Sequence, residues 1–293
     1  MTSADYQETI ERFARLARQE AEIVHEAGAS RLLAHGARTA RAYVLLHGTT
    51  NSPAQWLEFA SLLFDLGHNV YLPRAPYHGL RSRRVSELAR LTAADLQSYA
   101  LDAVAAGCGL GEELALIGVS GGATIAAWAA QNCPEINVTV LGMPFFNLYG
   151  LPERFSSPVR KLLGRLPDVA LTRPGESHRS WVYRGQSTHG VAAYLALASD
   201  VIGKARGGAA PGGKIIILTT SRDRLANNGT TKRLAAAWRG LGAEVVQYHF
   251  PASANVPHNS ADPAADPDSR RLFYQKIAAL LEESPSALPG VSL

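Results

Sequence analysis

The stretch Leu114-Ala115-Leu116-Ile117-Gly118-Val119-Ser120-Gly121-Gly122 decides the reading of this chain. Four apolar residues run into a Gly-x-Ser-x-Gly pattern, and a small-residue series, Ala123-Thr124-Ile125-Ala126-Ala127-Trp128-Ala129-Ala130, follows it. The order reads strand, sharp turn, helix. In such an elbow the serine stands at the tip of a strained turn, with its hydroxyl exposed and a helix N-terminus behind it. Gly118 and Gly122 are required because a Cβ at either position would collide where strand and helix pass closely. The bare pattern is common in glycine-rich loops; its flanking strand and helix make Ser120 a candidate nucleophile.

Outward from the elbow, apolar runs alternate with helical patterns, the signature of a mostly parallel sheet covered by helices. Strands are expected at 42–46, 69–72, 114–118, 138–142, 214–219 and 244–250, and helices at 53–66, 93–106, 121–132, 229–241 and 269–283. Along the last helix, Leu272, Phe273, Ile277 and Leu280 share one face. Near the N-terminus, Tyr6, Ile10, Phe13 and Ala17 recur at a three-to-four spacing, which predicts an amphipathic helix packed on the protein's own body. The alternation breaks between Met143 and about Gly207, where a structureless loop would be too long for a compact domain. A folded excursion is expected there, with short helices near 158–166 and 191–204 around a polar stretch at 172–190. The chain thus reads as one domain over 1–293, with a helical and strand lead-in at 1–40, a lid at 143–207 and an unanchored tail at 285–293.

The 293 residues, 46% hydrophobic with a net charge of +4, suffice for one large core. Arginines gather at Arg81, Arg83, Arg84 and Arg90 and again at Arg160 and Arg165 with Lys161. Without interleaved stacking aromatics they read as solvated faces rather than a nucleic-acid surface. Cys108, placed in a Gly-rich turn, and Cys133 form neither a disulfide framework nor a metal site and are expected as unpaired thiols. Residues 1–20 are polar without the apolar core of a secretory signal, and no apolar stretch approaches the roughly 20 residues a membrane span needs. A cytoplasmic location is expected, with no cofactor and no metal.

A serine hydroxyl needs a base, and the base needs an orienting acid. Both should lie in loops after later strands, at the sheet edge that carries the elbow. Thr220-Ser221-Arg222-Asp223 follows one such strand, and Pro251-Ala252-Ser253-Ala254-Asn255-Val256-Pro257-His258 follows the last. The expected roles are Ser120 as nucleophile, His258 as proton relay and Asp223 as the group holding the imidazole. Asp262, Asp266 and Asp268 follow the histidine and read as a solvated turn. A developing oxyanion needs two fixed N–H donors. Gly121 supplies one candidate, and Thr49, in His47-Gly48-Thr49-Thr50 after the first predicted strand, supplies the other. His47 reads as a buried histidine tying that loop in place, and His35 and His78, each followed by glycine, read as structural.

These residues, in this chain order, resemble the α/β-hydrolase superfamily, in particular its serine carboxylesterases and monoacylglycerol-lipase-like members. The resemblance runs from about Arg41 to Glu283 and takes in Gly67-His68-Asn69-Val70-Tyr71-Leu72-Pro73-Arg74 with Tyr77-His78-Gly79 beyond. It implies the α/β-hydrolase fold, a mostly parallel central sheet flanked by helices, with a helical lid inserted after the sixth strand. It also implies hydrolysis of a small-molecule carboxylic ester through an acyl-enzyme. The chain has no triple glycine at the oxyanion turn, so it is similar to the single-residue type with Thr49 contributing. Val119 stands where many relatives carry histidine or tyrosine. Thr50, Val119, Phe145, Phe146, Tyr149 and Tyr194 are the substrate-binding candidates, with Leu151 and Leu197 adding apolar surface. The same residues would also serve a thioesterase, acyltransferase, amidase or carbon–carbon bond hydrolase. A non-catalytic ligand-binding homologue is the reading from a different class.

Overall fold

Runs rich in Val, Ile and Leu become strands here because a parallel sheet is covered on both faces and has no wet side to populate. The computed structural model describes residues 5–172 and 182–282. Its strands are β1 (Arg31–Leu33), β2 (Thr39–Leu46), β3 (Asn69–Leu72), β4 (Gly111–Val119), β5 (Ile136–Gly142), β6 (Ala170–Thr172), β7 (Gly185–Ser187), β8 (Lys214–Thr220) and β9 (Glu244–Phe250). Seven form one sheet in the order β1-β3-β2-β4-β5-β8-β9. All its neighbours pair in parallel except the edge strand β1, which runs antiparallel to β3. β6 and β7 pair separately as a small antiparallel ribbon.

The helices are α1 (Tyr6–Ile23), α2 (Leu57–Asp65), α3 (Ala93–Leu110), α4 (Gly121–Asn132), α5 (Glu153–Leu163), α6 (Thr188–Arg206), α7 (Asn228–Gly240) and α8 (Pro267–Leu281). Sequence chemistry sets several of their starts. Thr92 and Asp95 form a reciprocal capping box at α3, and Ser187, Asn227 and Asp266 accept first-turn N–H bonds at α6, α7 and α8. On one face of the sheet, Leu116 and Val44 pack with Ala103 of α3, Ile125 of α4, Leu197 of α6 and Trp238 of α7. On the other, Tyr43, Ile117 and Val140 meet Phe59 of α2 and Phe273 and Ile277 of α8. α1 lies against the protein's own body, as its apolar spacing predicts: Phe13 meets the Tyr71 ring edge-on at 6.1 Å, and Glu20 pairs with Arg74 at 2.8 Å.

The chain leaves β2 toward β3 on one side and returns to β4 on the other, so strand order reverses between β2 and β4. Loops leaving the C-terminal ends of two such strands part and open a crevice, which is where open α/β sheets bind ligands. The loops at 47–52 and at Ser120 flank this crevice.

Three expectations are corrected. Cys108 is not in a turn: it lies inside α3, and the neighbouring glycine is there for closeness, since a Cβ on Gly107 would stand 2.5 Å from Leu114 Cδ1 and 2.9 Å from Val44 Cγ2. The excursion opens after β5, the fifth strand in chain order rather than the sixth, because four strands precede β5 among the described residues. Its first helix begins at Glu153 and carries Pro158 inside it rather than at its start. Part of the polar stretch expected at 172–190, residues 173–181, and the tail from 285 lie outside the described residues.

Phe273 is fully buried against Trp56, Phe250 and Tyr274. Phe273→Ala is expected to lower the unfolding free energy by about 3–5 kcal/mol in urea titration, since the packed rings around it cannot collapse into the void.

Candidate active site

The elbow is built as its sequence requires. Ser120 sits between β4 and α4 at φ 54°, ψ −117°, a conformation that costs a non-glycine residue free energy and that its surroundings must impose. They do so through backbone bonds: Ser120 N–H donates to Gly142 O at 2.8 Å, and Ser120 O accepts from Thr124 N and Phe145 N. A Cβ on Gly122 would stand 2.2 Å from Leu46 O, and one on Gly118 2.3 Å from Gly122 O. Helix α4 therefore starts directly against the end of β2.

The three residues expected to act together are brought together. His258 Nε2 lies 2.8 Å from Ser120 Oγ, and its Nδ1 lies 2.8 Å from Asp223 Oδ2. Because the carboxylate can only accept, Nδ1 carries the proton and Nε2 is left to accept from the serine. Asp223 is almost wholly buried, and its other oxygen accepts from Leu225 N and Ala226 N, both at 2.8 Å. Thr220 Oγ1 donates to Val256 O, which ties the loop bearing the acid to the loop bearing the histidine.

The loop after β2 is held peptide by peptide. Ala75 N–H donates to His47 Nε2 at 3.0 Å, so His47 carries its proton on Nδ1 and donates it to Gly48 O at 2.9 Å. Gly48 O also accepts from Asn51 N, and Gly48 N–H donates to Gln55 Oε1. With that carbonyl engaged on one side, the trans peptide directs the Thr49 N–H to the other. His78 Nε2 lies 2.9 Å from Thr49 O, and its Nδ1 2.8 Å from Pro76 O. The side chains close up behind: a Cβ on Gly121 would stand 2.4 Å from Thr49 Cγ2 and 2.7 Å from Tyr194 Cε1. Gly121 N is the first N–H of α4, one of the donors for which a helix has no internal acceptor.

Burial lowers the pKa of both His47 and His78 from 6.5; the neighbouring His78 adds to the effect on His47, while the two carbonyls facing His78 oppose it there. A histidine held neutral in the fold leaves the unfolded chain binding more protons below about pH 6.5, so stability falls as pH drops through that value. His47 is neutral in the fold, since its Nε2 accepts from Ala75 N–H, so the urea midpoint is expected to fall as pH is lowered from about 7.5 to about 5.5; a flat or rising midpoint would contradict a neutral His47.

The other candidates divide. Phe145 packs beside the elbow through its backbone bond to Ser120, and Thr50 sits at the crevice with its carbonyl accepting from Tyr183 N. Val119 and Phe146 are core residues, Val119 on the α8 side of the sheet and Phe146 edge-on to Trp238. Tyr149 is half exposed and holds Arg224. Tyr194 is buried next to Gly121, and its hydroxyl has no hydrogen-bond partner among the described residues. Asp262 is not solvated: it is buried and accepts from Asn51 Nδ2 at 2.8 Å, bridging the loop after β2 to the loop after His258. Asp266 and Asp268 serve α8, as its cap and as a partner of Arg271. Gln186 carried no sequence signal. It reaches from β7 to donate to Thr49 Oγ1 at 2.7 Å, while Tyr183 donates its hydroxyl to Tyr77 O. Among the described residues no group of three or more His, Cys, Asp or Glu could hold a metal ion, and no helix is long and apolar enough to cross a membrane.

The fold has counterparts. The model of the alpha/beta hydrolase family matches residues 43–288. The chain belongs to the alpha/beta hydrolase family. No curated protein matches this hydrolase by sequence. Among solved structures, one of the metagenome-derived lipolytic enzymes LipS and LipT superposes with a TM-score of 0.65 at 17% identity, covering 88% of this hydrolase and 99% of that chain. The monoacylglycerol lipase of Paleococcus ferrophilus gives 0.60 at 16%, covering 88% and 98%. A soluble variant of monoglyceride lipase from Saccharomyces cerevisiae, in complex with a substrate analogue, gives 0.58 at 11%, covering 86% and 90%. At these identities the likeness is one of fold.

Proposed function

We propose that this alpha/beta hydrolase cleaves carboxylic esters through an acyl-enzyme on Ser120. The observation that carries the reading is the unbroken hydrogen-bonded series from Ser120 Oγ through His258 to the buried Asp223. Ser120 Oγ attacks the ester carbonyl carbon as its proton passes to His258 Nε2. Asp223 holds the ring and stabilises the imidazolium. The carbonyl oxygen, now an oxyanion, is met by the N–H groups of Thr49 and Gly121, whose positions are set before substrate arrives and need no reorganisation. Collapse expels the alcohol, which takes the proton from His258. Water, deprotonated by His258 in turn, then attacks the acyl carbon and frees Ser120.

Tyr194 and Phe145 border the elbow and form the apolar wall for the acyl group, with Thr50 at the rim. The lipases and esterases among the structures of like fold favour esters over the amide, thioester and carbon–carbon chemistries that the same residues could perform. The thiol-free, serine-centred site also argues against a ligand-binding homologue, in which the series would have no reason to be complete.

Ser120→Ala is expected to abolish p-nitrophenyl ester hydrolysis and fluorophosphonate labelling while keeping the unfolding transition. Asp223→Asn is expected to lower kcat by about 10⁴-fold, by allowing the wrong imidazole tautomer. Hydrolysis persisting in Ser120→Ala, or a wild-type protein inactive on every short- and medium-chain ester, would sink the proposal.

A further inference from the structure

The described residues expose ten large hydrophobic side chains, and six of them lie between Tyr149 and Leu171. Phe155, Leu162, Leu166, Val169 and Leu171 are 45%, 56%, 51%, 53% and 54% exposed. Their order is not random. Phe155, Pro158, Leu162 and Leu166 follow one another at three- and four-residue steps along and just beyond α5, so they make one outward stripe. Ser156, Val159 and Leu163, about a quarter-turn round the helix from this stripe, are the less exposed positions, and α5 packs on α6.

Arg154, Lys161 and Arg165 are also exposed, and the helical period places them in a second row beside the apolar one. Arg154 lies over the Phe155 ring, its guanidinium carbon 4.8 Å from the centroid. The acidic groups of the region are turned away from this surface. Glu153 is held by Arg206 and Arg233, and Asp168 by Ser187, Thr188 and the His189 N–H. The outer face of α5 is therefore divided lengthwise into an apolar half and a basic half.

We propose that this face docks on an anionic lipid surface. An apolar row entering the boundary of the acyl chains, with a cationic row beside it at headgroup level, is the arrangement a helix lying in a membrane interface requires. Charge decides the occupant. In a two-fold contact between copies of this chain, the same basic row would belong to both sides of the interface, whereas an anionic bilayer complements both rows at once. The inference does not depend on the chemistry at Ser120. Joined to it, it locates the ester at a lipid surface.

Flotation with vesicles of phosphatidylcholine, alone or mixed with phosphatidylglycerol, tests the proposal, with unfolding midpoints as the control for folding. The wild-type protein is expected to float with the mixed vesicles and to be released by high salt. Each basic residue near the surface strengthens binding roughly five-fold, so Arg154→Gln/Lys161→Gln/Arg165→Gln should partition on the order of a hundred-fold more weakly. Phe155→Ser/Leu162→Ser should fail to float while unfolding as the wild type does. Absence of flotation with mixed vesicles, flotation unchanged in either variant, or self-association that is lost in Phe155→Ser/Leu162→Ser without lipid binding would overturn it. Flotation by a protein without esterase activity would leave this proposal standing and remove the one on Ser120.

Discussion

The structure turns on one close approach. The end of β4 and the start of α4 lie so near the end of β2 that only hydrogen fits at Gly122, with the Leu46 and His47 carbonyls against it. That contact does two things. It presses Ser120 into a backbone conformation it would not choose in isolation, and it brings the first N–H of α4 beside the loop that leaves β2. Ser120 and the loop with Thr49 are thereby parts of the same packed joint.

Around this joint the polar groups are arranged so that few can move alone. His47 and His78 hold carbonyls on the peptides either side of Thr49, Gln55 holds the Gly48 amide, and Gln186 holds the Thr49 hydroxyl. Asn51 and Asp262 join this loop to the one carrying His258. Preorganisation of this kind suits chemistry in which charge appears briefly on one oxygen, since reorienting dipoles at that moment would cost part of the stabilisation they provide.

What could be read from the sequence was what short-range chemistry dictates. The elbow has a local signature because its glycines answer a local clash, and Asp223 and His258 could be found because parallel strands deliver their following loops to one edge. Residues whose meaning depends on distant partners could not be read this way. Gln186 lies 137 residues from Thr49, and Asn51 lies 211 from Asp262, so neither pairing leaves a pattern along the chain. Gly107 misled for the same reason: flanking glycine resembles a turn until the helix is seen lying on Leu114 and Val44. The three-residue β1 is too short to show a period, and it exists because β3 offers it an edge.

The Glu20–Arg74 pair bears on where this domain begins. Family resemblance starts at residue 43, which suggests a core that could be trimmed to that point. Yet Glu20 is buried, accepts from Ser30 N and Ser30 Oγ as well as from Arg74, and Arg74 in turn donates to the carbonyl of His78, whose ring meets Thr49. Cutting away α1 would remove the carboxylate partner of Arg74 and leave its guanidinium on backbone carbonyls, two residues' contacts from the loop that carries Thr49. The first helix is thus a foundation of the sheet edge that carries Ser120 and Thr49, although the family match begins beyond it.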